Sequence, residues 1–168
     1  MFTDLQYDAK IAEVTYAMSH GGVFLTTSHQ GRDNTMTIGW GSIGYYWGKP
    51  IFTVVVRNSR HSFNLLENSG EFTVSIPLDG SMREELRLCG TSSGRDIDKF
   101  AAYNLKTQAG TQVKVPIITQ CDLHYECRVV YKSAMDPSQL AVDLDQRWYP
   151  QRDYHTFYHG EILACYGR

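Results

Sequence analysis

No apolar run in this chain approaches the roughly 20 residues a helix needs to cross a bilayer, and the opening Met-Phe-Thr-Asp-Leu-Gln lacks the basic-then-apolar order of a secretion signal. A soluble, cytoplasmic protein with no membrane partner is expected. Excess charge of one sign is missing too. The 16 Lys and Arg nearly balance 18 Asp and Glu, for a formal net charge of −2, and the cations are scattered. That leaves no electrostatic footprint for a polyanion, so no nucleic acid partner is expected. Cysteine is scarce: Cys89, Cys121, Cys127 and Cys165 show no CxxC spacing, and free thiols are the default without signs of an oxidising compartment. Cys121 and Cys127 fall in one apparent strand, which holds them roughly 20 Å apart and excludes a shared bridge or metal. Repeats, low-complexity tracts and linkers are also absent. At this length residues 1–168 read as a single domain with one core.

What is present is mostly strand pattern. An amphipathic segment at 11–18 predicts a first helix, stopped by Gly21-Gly22. Residues 23–28 and 35–40, rich in β-branched and aromatic side chains, predict neighbouring strands about a polar turn at 30–33. A buried strand at 51–57 precedes a short helix that opens on a capping Ser59, carries apolar residues at 63, 65 and 66, and ends at Ser69-Gly70. Then follow a strand at 71–76 closed by Pro77, a helix at 82–88, and a second short helix from about Asp96. Strands at 113–118, 121–132 and 154–166 complete the set, while 136–152 reads as loop apart from Leu140-Ala-Val-Asp-Leu144. The fold class is therefore mainly β with short flanking helices.

Gly39-Trp-Gly-Ser-Ile-Gly44 matches the G-x-G-x-x-G spacing of dinucleotide-binding folds. That motif needs a helix start aimed at a pyrophosphate, and Tyr45 to Pro50 offers no amphipathic turn, so the glycines are expected to shape a loop instead. His155 and His159 have zinc-like i, i+4 spacing, yet in a β-rich run they sit about 13 Å apart, too far for one metal. No metal site is expected, and Cys89 is given no redox duty, since isolated cysteines mostly behave as buried hydrophobes.

Residues 34–62 carry the most functional content. Asn34-Thr-Met-Thr-Ile-Gly-Trp40 is a strand with small and amide-bearing positions; a Gly- and aromatic-rich turn and a second strand follow, and Arg57 and Arg60 flank a helix start. A flat ligand with polar edges and an anionic tail suits that layout.

These residues, with Trp47-Gly-Lys-Pro50, Ser69-Gly-Glu-Phe-Thr-Val-Ser-Ile-Pro77 and Cys89-Gly-Thr-Ser-Ser-Gly-Arg-Asp-Ile-Asp-Lys-Phe100, resemble the flavin reductase-like family in its flavoredoxin-like branch. The blocks occur in family order, and residues 154–166 echo it more weakly. The resemblance implies an antiparallel, Greek-key type split β-barrel that binds FMN. It implies that Asn34, Met36, Thr37, Ile38, Gly39 and Trp40 border the isoalloxazine ring. The phosphate would fall to Arg57, Arg60, His61, Ser62, Ser92, Gly94, Arg95 and Lys99, with Phe157 and His159 beside the flavin or a dimer seam. His61 departs from the family's common tyrosine, and many relatives continue past the position of Arg168, so a further strand or tail is expected in them that this sequence lacks. The implied function is an FMN-dependent oxidoreductase taking electrons from NADH or NADPH to a flavin, ferric or protein acceptor, with no catalytic side chain beyond the flavin's own chemistry. A non-catalytic FMN-binding electron-transfer protein is the alternative. A homodimer and a redox partner protein are the implied partners.

Overall fold

The computed structural model describes residues 1–168. In chain order the elements are β1 (Thr3–Asp4), α1 (Ile11–Ser19), β2 (Val23–His29), β3 (Arg32–Ile38), β4 (Gly41–Tyr46), β5 (Lys49–Arg57), α2 (His61–Ser69), β6 (Glu71–Ile76), α3 (Arg83–Thr91), α4 (Lys99–Ala102), β7 (Thr107–Gln108), β8 (Ile117–Ile118), β9 (Leu123–Ala134), a 3-10 turn (Pro137–Gln139), α5 (Val142–Trp148) and β10 (His155–Gly167). The main sheet runs β3-β2-β6-β9-β10-β5-β4, with β1 on the far half of β10, and every pairing is antiparallel. The expected mainly β, split-barrel architecture is present, with the sheet left unclosed because β3 and β4 are its two end strands.

Both end hairpins close on two-residue turns that suit the sheet's twist. Gln30 and Gly31 have φ of 51° and 74°, and Trp47 and Gly48 have 54° and 70°. Positive φ at both central residues is the type I′ signature, matched to right-handed strand twist. Arg32 and Asp33, expected in the first turn, instead begin β3. The predicted glycine loop after Gly39 is likewise a strand, β4: its Ile and Tyr side chains favour pleated backbone, and an edge strand tolerates the glycines. A Cβ at Gly41 would lie 2.7 Å from the Thr53 carbonyl oxygen.

The main core fills the inside of the curled sheet. Helix α1 buries Val14 and Met18, one turn apart, among Phe52, Val54, Val74, Tyr125 and Tyr158. A smaller core on the other face of β2 joins Phe24 to Met82, Leu86, Cys89, Leu105, Ile118 and Cys121. Strand β2 is thus covered on both faces, which accounts for its nearly continuous apolar and threonine run. All four thiols are free and buried, and burial pushes Cys89 up to about 11. Cys121 precedes β9 rather than lying in it.

Two predicted elements change. Of the strand expected at 113–118, only Ile117 and Ile118 pair, with β7. Val113 and Val115 are buried by packing, and the buried Glu126 carboxylate takes the local backbone bonds, accepting from the amides of Thr111, Gln112 and Val113 at 2.8, 2.6 and 3.1 Å. The region expected to be loop, 136–152, holds a 3-10 turn capped by Asp136 and the short helix α5. Because α5 fully buries no residue, it lacks the apolar period that marks a helix in sequence.

The central ladder between β9 and β10 carries two bulges. Val130 is the extra residue on β9 and Leu163 the extra residue on β10. A Cβ at Gly160, beside the first bulge, would meet the Phe72 ring at 2.5–2.6 Å.

Candidate functional site

Helix α2 begins without a side-chain cap. Ser59, expected to supply one, donates instead to the Asp153 carboxylate at 2.6 Å, and Arg60 occupies the cap position with no side-chain bond to the helix. The Phe63 amide bonds the Arg60 carbonyl at 3.1 Å, and the amides of His61 and Ser62 stay available at the positive end of the helix dipole. Opposite them lies the loop from Ser92 to Arg95, which descends from α3. A cavity of about 310 Å³ separates the two, lined by Asn34, Met36, Arg57, Ser59, Arg60, His61, Ser62, Thr91, Ser92, Ser93, Gly94, Arg95, Lys99 and Asp153. Four permanently cationic or ammonium-bearing side chains face one carboxylate there, so the cavity suits an anion.

Each cation is held by the fold. Arg60 Nη1 donates to the Gly90 carbonyl at 3.1 Å and Arg95 Nη1 to the Ser59 carbonyl at 3.0 Å. A guanidinium has five N–H donors, so both retain free ones. Lys99 is almost fully buried and donates to the carbonyls of Thr35 at 2.9 Å and Cys89 at 2.8 Å, tying β3 to α3. Burial, with the Arg60 charge adding, brings its pKa down to about 8. Lys99 is thus primarily a tie that presents charge to the cavity. The short helix it opens offers no second set of free amides: Asp98 caps α4 by accepting from Phe100 and Ala101.

Arg57 lines both hollows while two of its N–H groups are committed to the segment after α5. Its guanidinium donates to the carbonyls of Asp153 at 2.6 Å and Trp148 at 3.0 Å, and its Cζ lies 4.9 Å over the Tyr149 ring. It clamps the segment after α5 against β5. Asn34 Nδ2 donates to the buried Ser62 hydroxyl at 2.8 Å, joining β3 to the first turn of α2. Gly94 packs directly against this pair, where a Cβ would overlap the Asn34 amide and come within 2.9 Å of His61 Cδ2. Burial, then the charges of Arg95, Lys99 and Arg32, lowers the His61 pKa and favours its neutral ring.

A second hollow of about 180 Å³ continues along the free edge of β3. Its lining is Met36, Thr37, Ile38, Gly39, Trp40, Val55, Arg57, Arg60, Trp148 and His155, so it shares Met36, Arg57 and Arg60 with the charged cavity. An end strand presents unpaired backbone N–H and C=O groups, suited to a ligand with a polar rim. His155 lies beneath this stretch. Its Nδ1 is 2.7 Å from the Tyr149 hydroxyl, and its ring is 5.0 Å from that of Trp40. Burial above all, with Arg57 adding, lowers its pKa to about 4, so it is neutral near pH 7.

The structure gathers nearly all the sequence-derived site residues into this trough. Phe157 lies one compartment further on, with Trp40 and Trp148. His159 is not brought in: it bonds Thr53 Oγ1 at 2.9 Å and packs among Tyr46, Trp47 and Tyr131. The trough residues that sequence reasoning missed are Ser59, Thr91, Ser93, Val55, Trp148, Asp153 and His155. Ser59, Thr91 and Ser93 flank predicted positions; Trp148 and Asp153 sit in a stretch without periodicity, visible only once Arg57 is seen to hold it.

The flavin reductase like domain model matches residues 15–168. A protein of Archaeoglobus fulgidus described as uncharacterized is 30% identical over 107 residues, which span 64% of this chain and 59% of that protein. Among solved structures, flavoredoxin from Methanosarcina acetivorans is 27% identical with a TM-score of 0.70, covering 88% of this chain and 68% of that one. The NADH:FAD oxidoreductase SgcE6 of Streptomyces globisporus C-1027, solved with NAD and FAD fragments, shares the fold at 17% identity, a TM-score of 0.67 and coverage of 88% and 74%.

Proposed function

The chain belongs to the flavin reductase-like family, and from that premise we propose that it is an FMN-dependent oxidoreductase moving electrons from NADH or NADPH to a flavin, ferric or protein acceptor. The observation that carries the reading is the uncapped start of α2 facing the Ser92–Arg95 loop, with Gly94 leaving room where any side chain would intrude. Those groups fit a phosphate monoester: free amides, the Ser93 hydroxyl, whose hydrogen is uncommitted, and the spare N–H groups of Arg60 and Arg95. The free edge of β3 from Met36 to Trp40 fits the polar rim of an isoalloxazine, with Trp40 and Met36 as apolar borders.

Bound FMN would supply hydride acceptance and stepwise electron release. The protein's part is placement and field. Neutral His155, Arg57 and the β3 amides would set the charge around the ring, and Trp148 would limit water on one side. The nicotinamide donor is supported by family membership and by the NADH:FAD oxidoreductase activity of the Streptomyces neighbour. The likeness to flavoredoxin favours a second reading, a carrier that binds FMN without rapid turnover. A homodimer and a redox partner protein belong to the same proposal; the exposed Tyr45, Tyr46, Trp47 and Tyr131 are an aromatic surface suited to either.

Mass spectrometry of the chromophore released from purified protein tests the cofactor, and anaerobic mixing with NADH or NADPH tests the activity. Rapid bleaching and reoxidation with turnover is expected. A yellow protein that bleaches only with a chemical reductant selects the carrier reading, and protein that stays colourless after incubation with FMN and dialysis rejects both.

A further inference from the structure

Beyond Trp40 the trough opens into a chamber of different chemistry. It measures about 370 Å³ and lies between the outer face of β5 and β10 and helix α5. Its apolar walls include Val55, Phe157, Met135, Leu140, Leu144 and Trp148, and no carboxylate, lysine, arginine or histidine lines it. It shares Trp40, Val55 and Trp148 with the hollow along β3, so a cationic site and an uncharged one adjoin across the Trp40–Trp148 edge-to-face contact.

The chamber's hydroxyls are nearly all committed. The Tyr149 hydroxyl bonds His155, and Thr53 bonds His159, which leaves the Ser42 hydroxyl without an intramolecular partner. The outer wall is anchored from outside the chamber, through the Arg57 bonds to the carbonyls of Trp148 and Asp153. Yet Leu144 and Trp148 remain 43% and 41% exposed, apolar surface poised over a space that nothing in the chain fills.

We propose that this chamber is a binding site for an uncharged, planar ring compound of one or two fused rings carrying a single hydroxyl or carbonyl that Ser42 bonds. The proposal deepens the flavin reading, since it puts a small-molecule partner beside the proposed ring site, but its geometry does not depend on FMN being bound. An ionised ligand is disfavoured because its charge would lose water with no counter-charge in the walls. A protein segment is disfavoured because its backbone N–H and C=O groups need partners, and the chamber offers one free hydroxyl. The volume falls in the range of ordinary small-molecule pockets.

The test is calorimetric titration of the full chain with 2-naphthol, with 2-naphthoate as the charged counterpart of similar size, each run before and after loading with FMN. Saturable binding of about one 2-naphthol per chain is expected, with 2-naphthoate weaker by tenfold or more. Leu144→Glu should weaken 2-naphthol by at least about tenfold while circular dichroism and FMN affinity stay unchanged. Absence of saturable 2-naphthol binding, equal binding of 2-naphthoate, or unchanged binding in folded Leu144→Glu overturns the proposal. So does a dimer that Leu144→Glu dissociates in protein that binds no 2-naphthol, since a second copy then fills the space. Binding of 2-naphthol by protein that takes up no FMN rejects the flavin reading and leaves the chamber standing.

Discussion

A single methyl group is more than the position of Gly94 can hold. Its missing side chain lets the Ser92–Arg95 loop lie against His61 and against Asn34, whose bond to Ser62 joins β3 to the first turn of α2. In Gly94→Ala the loop must retreat from the free amides of α2. FMN affinity is expected to fall by tenfold or more, equivalent to about 1.4 kcal/mol or above, with a stability loss of about 1–3 kcal/mol from overpacking. Flavin fluorescence titration and urea unfolding measure the two effects separately. A variant that unfolds as expected but binds FMN with unchanged affinity would remove Gly94 from the site. At this scale the sequence was informative where chemistry sits on the residue itself, as with Asn34, Arg60 and Arg95. It was silent on bonds that depend on what folds beside a residue. Ser59 looks like a cap until Asp153 arrives from almost a hundred residues away, and nothing near Arg57 in sequence shows that two of its N–H groups hold the carbonyls of Trp148 and Asp153.

Among the elements, the excursion between α4 and β9 depends most on one side chain from outside it. Glu126 accepts from Thr111, Gln112 and Val113 amides, from the Thr111 hydroxyl at 3.1 Å, and from the Tyr166 hydroxyl at 2.6 Å. Gly110 belongs to the same arrangement, since a Cβ there would lie 2.7 Å from the carbonyl oxygens of Val113 and Val115. Replacing Glu126 by Ala strands two buried donors, the Val113 amide and the Tyr166 hydroxyl, at about 1–3 kcal/mol for each left unpaired. The expected result is faster amide exchange and proteolytic nicking within residues 109–116, while β2, β6 and β10 keep their protection. Uniform loss of protection across the chain would show that the carboxylate serves the whole core instead. Strands with sustained β-branched and aromatic content, such as β2, β5 and β6, were readable in the sequence because their residues are covered on at least one face. The false strand at 113–118 had the same apolar content, but its backbone is satisfied by a carboxylate, which no local pattern reports. Helix α5 was missed for the opposite reason: it covers the trough without burying a stripe of its own.

For the molecule as a whole, acid loosens the fold, and the sign follows from two buried histidines. Burial first, opposed by a Cys121 backbone bond and aided by Arg168, lowers His124 to about 4. His155 is lowered to about 4 by burial, with Arg57 and Arg60 adding and Asp153 opposing. The unfolded chain takes up these protons below about 6.5, whereas the folded chain resists until about 4. Stability is therefore full above pH 6.5 and falls as the pH drops toward 4. Glu126 adds to the loss at the lower end. Burial would raise its pKa, but the Thr111 amide, the Tyr166 hydroxyl and the amides of Gln112 and Val113 together hold it below the usual carboxylate value. Urea midpoints between pH 7.5 and 4.5 are expected to decline, and His124→Gln is expected to flatten part of that slope. An unchanged midpoint from pH 7 to 5 would mean that the folded chain binds those protons as readily as the unfolded one.

The paired bulges of β9 and β10 also decide how the longest strand can be read. Tyr158, Gly160 and Ile162 turn to the interior on even numbers; past Leu163 the core residue is Cys165, on an odd one. Any two-fold hydropathy average over the full strand adds two half-waves of opposite phase and cancels itself. Saturation mutagenesis along this strand should accordingly give a sensitivity profile that peaks at even positions through 162, skips a beat at 163 and resumes at 165.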